Sequence, residues 1–176
     1  MSRWHVSALV VWAWLTVVLP IAANPLIGNS AVPPGLADWP QLRADVRAGK
    51  LAVDDNGVPL QLDASLDRPS KNGLYRVSIR SEANPPPMNA IHDWSIRILT
   101  AEGRPVRGAA VRIFGGMPLH DHGFPTQPAV EETGDGEYRL RGMKLHMPGW
   151  WQLILVITHA ESTDAVTFDV ALRPGE

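Results

Sequence analysis

From residue 74 onward, short segments of alternating apolar and polar side chains are separated by turn residues at intervals of about ten positions. Residues 74–80 and 94–99 alternate clearly, whereas residues 150–158 are almost continuously apolar and predict a central strand. The other predicted strands are residues 109–114, 129–133, 137–141 and 165–172. A period of two indicates half-buried strands. The sequence therefore predicts an all-β fold, an immunoglobulin-like antiparallel β-sandwich of about seven strands.

Composition supports this fold class and excludes several functions. The 176 residues include 15 glycines and 16 prolines, which suits a turn-rich β protein. A net charge of −2 and a pI near 6.3 argue against a nucleic-acid or anionic-membrane partner. The chain has no cysteine, which excludes a disulfide-linked partner, a thiolate metal site and a cysteine nucleophile.

The N-terminus predicts export. Arg3 precedes an apolar run over residues 6–19, and small residues follow at Ala22 and Ala23. This is the pattern of a signal peptide over residues 1–23, cleaved before Asn24. An uncleaved anchor is the alternative, although the run is shorter than the roughly 20 residues of a membrane-spanning helix. Both interpretations place the rest of the chain outside the cytoplasm, in the periplasm or its equivalent.

Residues 24–70 form a predicted N-terminal extension ahead of a β-sandwich domain at residues 71–176. Prolines in residues 24–34 indicate a linker. Asp38, Trp39 and Pro40 predict the start of a short helix, and residues 51–60 predict a small hairpin around an Asn56–Gly57 turn. No chemistry is assigned to this extension.

Histidine and methionine dominate two loops, residues 117–128 and 143–149. Prolines in the first loop exclude a helix or a central strand there. Successive short connections in an antiparallel sandwich alternate between its two ends, so both loops and the segment before residue 94 are predicted at one end. Apart from Met1 and His5, every methionine and every histidine except His159 falls at that end.

These side chains predict a copper site. Thioether sulfur is a soft donor and imidazole a borderline one, a combination that favours copper, particularly Cu(I), over zinc or magnesium. Calcium requires several carboxylates, and these loops offer only Asp93 and Asp121. The candidate metal ligands are Met117, His120, His122, His146, Met147, His92 and Met143.

Other roles remain open for some of these residues. Met143 and Met88 also suit core packing, and His92 also suits a hydrogen bond to its neighbours. Trp150 and Trp151 are predicted to close the core beside the site, and His159 to lie on the surface.

The two loops and the strand between them carry a resemblance to a known group. The motifs are residues 115–118, 120–123, 125–128, 134–138 and 143–151. They resemble the exported YtkA-like and FixH-like domain family over roughly residues 74–172. That resemblance implies an extracytoplasmic immunoglobulin-like domain connected with copper handling and, for FixH-like members, with cytochrome oxidase assembly. Where this family commonly has an aromatic residue before the methionine, the chain has Leu145 and His146.

The predicted function is an extracytoplasmic copper-binding carrier or chaperone without catalytic turnover, serving an oxidase or another copper protein. The alternative is a metal-free interaction domain that docks a membrane, periplasmic or redox partner through the same loops. An enzyme is not predicted, because no serine lies in a nucleophile motif. In addition, Glu131 follows the His120–His122 pair at a longer spacing than the cupin carboxylate has.

Overall fold

The computed structural model describes residues 32–33, 35–120 and 122–174, and its antiparallel strands form two sheets. The predicted signal peptide at residues 1–23 and the linker residues 24–31 lie outside the described residues. Within the described ranges, no helix has the length and apolar character needed to cross a bilayer.

In the part of the chain that the structure describes, nine strands and one α-helix follow a short 3-10 turn at Leu36–Asp38. The helix is α1 (Trp39–Arg47), and the strands are β1 (Asp67–Pro69), β2 (Tyr75–Ser81), β3 (His92–Thr100), β4 (Ala110–Met117), β5 (His122–Gly123), β6 (Ala129–Gly134), β7 (Glu137–Met143), β8 (Gly149–His159) and β9 (Ser162–Leu172). One sheet has the order β1-β2-β3-β7-β6 and the other β5-β4-β8-β9.

The strand order confirms the predicted immunoglobulin-like sandwich. If the seven longer strands are lettered A to G along the chain, the two sheets become A-B-E-D and C-F-G. This is the arrangement of constant-type immunoglobulin domains. The seven predicted strands all exist, with bounds that differ by a few residues.

Two short edge strands were not predicted. β1 pairs with β2 and belongs to the segment assigned to the extension, and β5 pairs with β4 inside the loop assigned to residues 117–128. Strands of three and two residues are too short to show a period of two. The prolines nearby are compatible with them because edge strands tolerate missing donors.

The core lies between the sheets, where the inward-facing residues of both meet. β2 alternates buried and more accessible residues along its length, so its inner face is set by its sequence pattern. The largest fully buried side chains of the core include Trp94, Trp151, Tyr138, Phe168, Ile96 and Ile98. Full burial of one large aliphatic or aromatic side chain contributes about 1.5–3 kcal/mol.

Strand β8 is buried on both faces over most of its length, and Trp39 of α1 contacts its outer side. Trp39, only 7% exposed, donates from its indole nitrogen to the Gln152 side-chain oxygen at 2.7 Å. Gln152 and Trp150 in turn donate to one carboxylate oxygen of Asp169, at 3.0 and 2.9 Å. The helix therefore begins at Trp39 as predicted and is fixed by its first side chain, while Asp38 makes no side-chain capping hydrogen bond.

Asp164, at the end of the sandwich opposite the histidine loops, holds the β1–β2 connection. Its buried carboxylate accepts hydrogen bonds from the Ser70 hydroxyl (2.6 Å), the Asn72 side-chain amide (3.0 Å) and the backbone N–H groups of Asn72 (3.1 Å), Leu74 (3.3 Å) and Ala165 (2.8 Å). Burial by itself raises the pKa of Asp164. The hydrogen bonds, with that of Ser70 the largest, outweigh this effect and hold the pKa below its ordinary value.

We expect Asp164→Asn to lower the free energy of unfolding at neutral pH by about 1–3 kcal/mol, because a charged acceptor of several hydrogen bonds is lost. Since the folded-state pKa lies below the unfolded value of about 3.9, the carboxylate stabilises the fold above that pH. This contribution disappears as the pH falls through the folded-state pKa. Urea denaturation across acidic pH should therefore show a weaker acid dependence in the variant. Asp55→Asn, at an exposed position, should change stability by less than about 0.5 kcal/mol, and an equal loss in both variants would contradict this account.

Candidate histidine and methionine site

The two loops rich in histidine and methionine lie at the same end of the sandwich, as the alternation of connections predicts. The first leaves β4 in a tight turn, in which the His120 N–H donates to the Met117 carbonyl at 3.2 Å, and returns as β5 with His122 opposite Met117. The second links β7 to β8. His159 is the last of the eleven residues of β8, which begins at Gly149, and so lies at the other end.

Three imidazoles from these loops are neighbours. The ring centroids of His120 and His122 are 6.4 Å apart with nearly parallel planes, and those of His122 and His146 are 6.0 Å apart. His146 also meets Trp151 edge-on at 5.4 Å. No hydrogen bond to another described residue holds the exposed His120 and His122 side chains, so both rings are free to reorient toward a ligand.

Met147 directly follows His146, one member of the histidine cluster (His120, His122 and His146), in the second loop. Its half-buried side chain packs against the core, and its carbonyl accepts a hydrogen bond from the Trp151 indole N–H at 3.0 Å. Phe124 stacks on the same indole at 6.1 Å and forms an apolar wall. The buried Trp151 side chain therefore contacts both His146 and Met147 from the side of the core.

The spacing of the rings in the cluster is close to that of imidazoles bound to one metal ion. Two imidazoles bound to one metal at about 2.0–2.1 Å place their ring centroids roughly 5–6 Å apart. The two observed separations, 6.4 and 6.0 Å, are at or just above this range. As placed, no three His, Cys, Asp or Glu side chains among residues 35–120 and 122–174 already surround one point. The donor types fit copper, and the His146 Nδ1 atom is buried without a hydrogen-bond partner among the described residues.

The remaining predicted ligands lie deeper or further out. Met117 and Met143 are completely buried members of the core cluster, and His92 is 9% exposed and faces inward at the start of β3. Met88 is 44% exposed. Asp121 lies outside the described residues.

One ring nitrogen of His92 has a hydrogen-bond partner, and the other has none among the described residues. Its Nδ1 lies 3.1 Å from the Ala90 carbonyl, which can only accept, so Nδ1 carries the proton. Nε2 is then the unprotonated nitrogen, and it is buried with no hydrogen-bond partner among the described residues. The predicted hydrogen bond to a neighbour is present, and it leaves a free lone pair.

The extension, to which no chemistry was assigned, packs against the histidine loop. A guanidinium nitrogen of Arg43 donates to the Pro118 carbonyl at 3.1 Å. The predicted Asn56–Gly57 turn is present and lies so close that a Cβ on Gly57 would be 3.8 Å from the His120 Nε2 atom. The sequence indicated this turn but gave no sign of its position, because its neighbours are distant along the chain.

Gly149 is where the extension and the second loop come closest. Its φ is +125°, and a Cβ added there would lie 2.9 Å from both the Asn56 carbonyl oxygen and the Met117 methyl group. Only glycine therefore allows the extension to approach the site this closely.

We expect Gly149→Ala to destabilise the fold more than Gly134→Ala does. Both positions have a positive φ, and strain there costs about 1–3 kcal/mol. At Gly134 nothing lies within 4 Å of an added Cβ, whereas at Gly149 overpacking adds about 1–3 kcal/mol. Urea denaturation measures the difference, and hydrogen exchange should rise selectively in the Asn56–Gly57 turn of the Gly149 variant. Equal losses of stability in the two variants would show that the Asn56–Gly57 turn does not pack closely against Gly149.

Comparison with known proteins places the sandwich in a family. The family model described as YtkA-like matches residues 70–156, which span β2 to most of β8 and include both histidine loops. No curated protein and no solved structure matches the chain. Helix α1, the Asn56–Gly57 turn and β9 lie outside the match. Over residues 70–156 the chain thus belongs to the YtkA-like family.

Proposed function

We propose that this protein is an extracytoplasmic copper-binding module that carries Cu(I) through the histidine cluster and Met147. The observation that carries the proposal is the meeting of three imidazoles at one end of the sandwich, from two separate loops, with Met147 directly after His146 in the chain. The resemblance to FixH-like proteins supports delivery to a cytochrome oxidase or another copper protein as the purpose.

The donor chemistry favours copper over other metals. Zinc gains little from a neutral sulfur, and calcium and magnesium prefer oxygen ligands. Thioether and imidazole together suit Cu(I), and the thioether remains unprotonated at acidic pH, where histidines lose their metal.

The exposure of the site suits a carrier. His120 and His122 are exposed at the edge of the sheet, where a receiving protein can reach a bound ion and replace one ligand at a time. Trp151 fixes the inner part of the site through the ring contact to His146 and the hydrogen bond to Met147. One side of the site is therefore preorganised and the other is adaptable.

We expect Met147→Leu to lower Cu(I) affinity at least tenfold, a loss of about 1.4 kcal/mol, because the soft donor is removed while the volume is kept. Binding of Cu(II) or Zn(II) by the histidines should change little. The combined His120→Ala and His122→Ala change should weaken the binding of all three ions. Competition with a chromophoric chelator under anaerobic, reducing conditions measures the Cu(I) affinity.

The matched control is His159→Ala, which removes a histidine from the opposite end of the sandwich and should leave all affinities unchanged. The absence of Cu(I) binding in the unmutated protein would overturn the proposal.

The proposed compartment has its own test. The exported protein should begin at Asn24, because the small residues Ala22 and Ala23 follow the apolar run. N-terminal sequencing of the protein recovered from outside the cytoplasm measures this. A retained Met1 would favour the anchored form, and recovery from the cytoplasm alone would contradict export.

A metal-free docking domain is the second candidate. At the same end, Met88 and Ile91 are 44% and 68% exposed, an unusual exposure for large apolar side chains beside a site. Replacing both with serine should abolish partner binding in a pull-down on this interpretation and leave chelator competition unaffected. The two candidate functions are therefore separable in one set of proteins.

A further inference from the structure

A register shift near the site brings two particular side chains together. Trp94 pairs with Leu140, and an unbroken antiparallel register would place Gly142 opposite His92. Instead a β-bulge intervenes and Met143 lies opposite His92. Bulges commonly re-aim a side chain next to a functional site.

The bulge is held by specific contacts. The Gly142 N–H donates to an Asp93 carboxylate oxygen at 3.1 Å, and the Gly142 carbonyl accepts from the Thr126 hydroxyl at 2.7 Å. Gly142 has a φ of +75°, which a residue with a side chain rarely adopts. The opposition of Met143 to His92 is therefore fixed by the structure around it.

Directly opposite residues of an antiparallel pair point to the same face, with Cβ atoms roughly 5 Å apart. Met143 is completely buried and His92 is 9% exposed, so both side chains enter the upper end of the core. The free lone pair of His92 is on Nε2, which is buried without a partner, while Nδ1 is locked by the Ala90 carbonyl. A backbone carbonyl on one nitrogen and a metal on the other is a common arrangement of metal-binding histidine.

We propose that His92 Nε2 and the Met143 sulfur form an inner Cu(I) site, separate from the exposed histidine cluster. A buried polar atom without a partner requires an explanation, and an ion is one of the few that apply. The paired imidazole and thioether form a soft donor set that contains no carboxylate. This inference rests on the proposed function for the identity of the metal.

The competing occupant is a buried water. The Trp94 indole N–H is also buried without a partner, and its ring centroid is 6.0 Å from that of His92. A water between them would donate to Nε2 and accept from the indole, giving it the minimum of two partners. Met143 has no part in that arrangement, and this difference makes the two occupants distinguishable.

The test uses the full exported chain and Cu(I) alone as the probe. In anaerobic titration with chelator competition, the unmutated protein should take up a second copper equivalent beyond that of the histidine cluster. Met143→Leu and, independently, His92→Gln should remove one equivalent and leave the other. The combined His120→Ala and His122→Ala change should remove the outer equivalent and leave the inner one.

The matched control is Ile96→Leu, an isosteric change on the same inward face of β3 that should retain both equivalents. A measurement on the unmutated protein avoids any folding defect. The methyl NMR signal of Met143, assigned by its loss in Met143→Leu or by its contacts to His92, should shift when Cu(I) enters the inner site.

The outcomes separate the two proposals. An unchanged Met143 methyl signal, or a Met143→Leu protein with the full copper content, would overturn the inner site and favour the water. Loss of all copper in the His120 and His122 double variant would leave the outer carrier site standing and also overturn the inner site. The absence of any Cu(I) binding would contradict both proposals.

Discussion

The burial of strand β8 on both faces is the constraint on which the rest of the structure depends. Its inner face enters the core between the sheets, and its outer face is joined to α1 by the Trp39–Gln152 hydrogen bond. β8 also pairs along most of its length with β4 and β9. Because β4 ends at the first histidine loop and β8 begins at the second, this single strand fixes the relative position of both loops.

The same strand supports the candidate site. Trp151 faces the core, contacts the His146 ring and donates to the Met147 carbonyl. An indole buried in this way has little freedom to move. The residues that it contacts on the inner side of the site are therefore held in place by the sheet. Of the outer histidines, His122 lies on a short edge strand and His120 in the turn before it, and neither side chain forms a hydrogen bond to a described residue. The candidate site thus combines support from the sheet on its inner side with exposed histidines on its outer side.

The part of the chain outside the family match contributes to the site as well. Arg43 contacts the Pro118 carbonyl, and the Asn56–Gly57 turn reaches His120 and Gly149. The family match begins at residue 70, so these contacts come from a part of the chain outside the match. These contacts hold the histidine loop in place, but they add no nitrogen or sulfur ligand for a metal.

The sequence by itself determined the class of fold and the end at which the histidines and methionines gather. A period of two marks strands, and antiparallel connections must alternate between ends, so both follow from local patterns. It also predicted the start of α1 and the Asn56–Gly57 turn, because Pro40 in the first helical turn and the turn residues act on their immediate neighbours. Only the tertiary structure decided how deeply each donor lies. Met117 and Met143 are buried while Met147 is half-buried, since the depth of a side chain depends on what packs over it. The β-bulge that sets Met143 opposite His92 and the contact between the extension and the histidine loop likewise required the fold, because each joins residues that are distant along the chain.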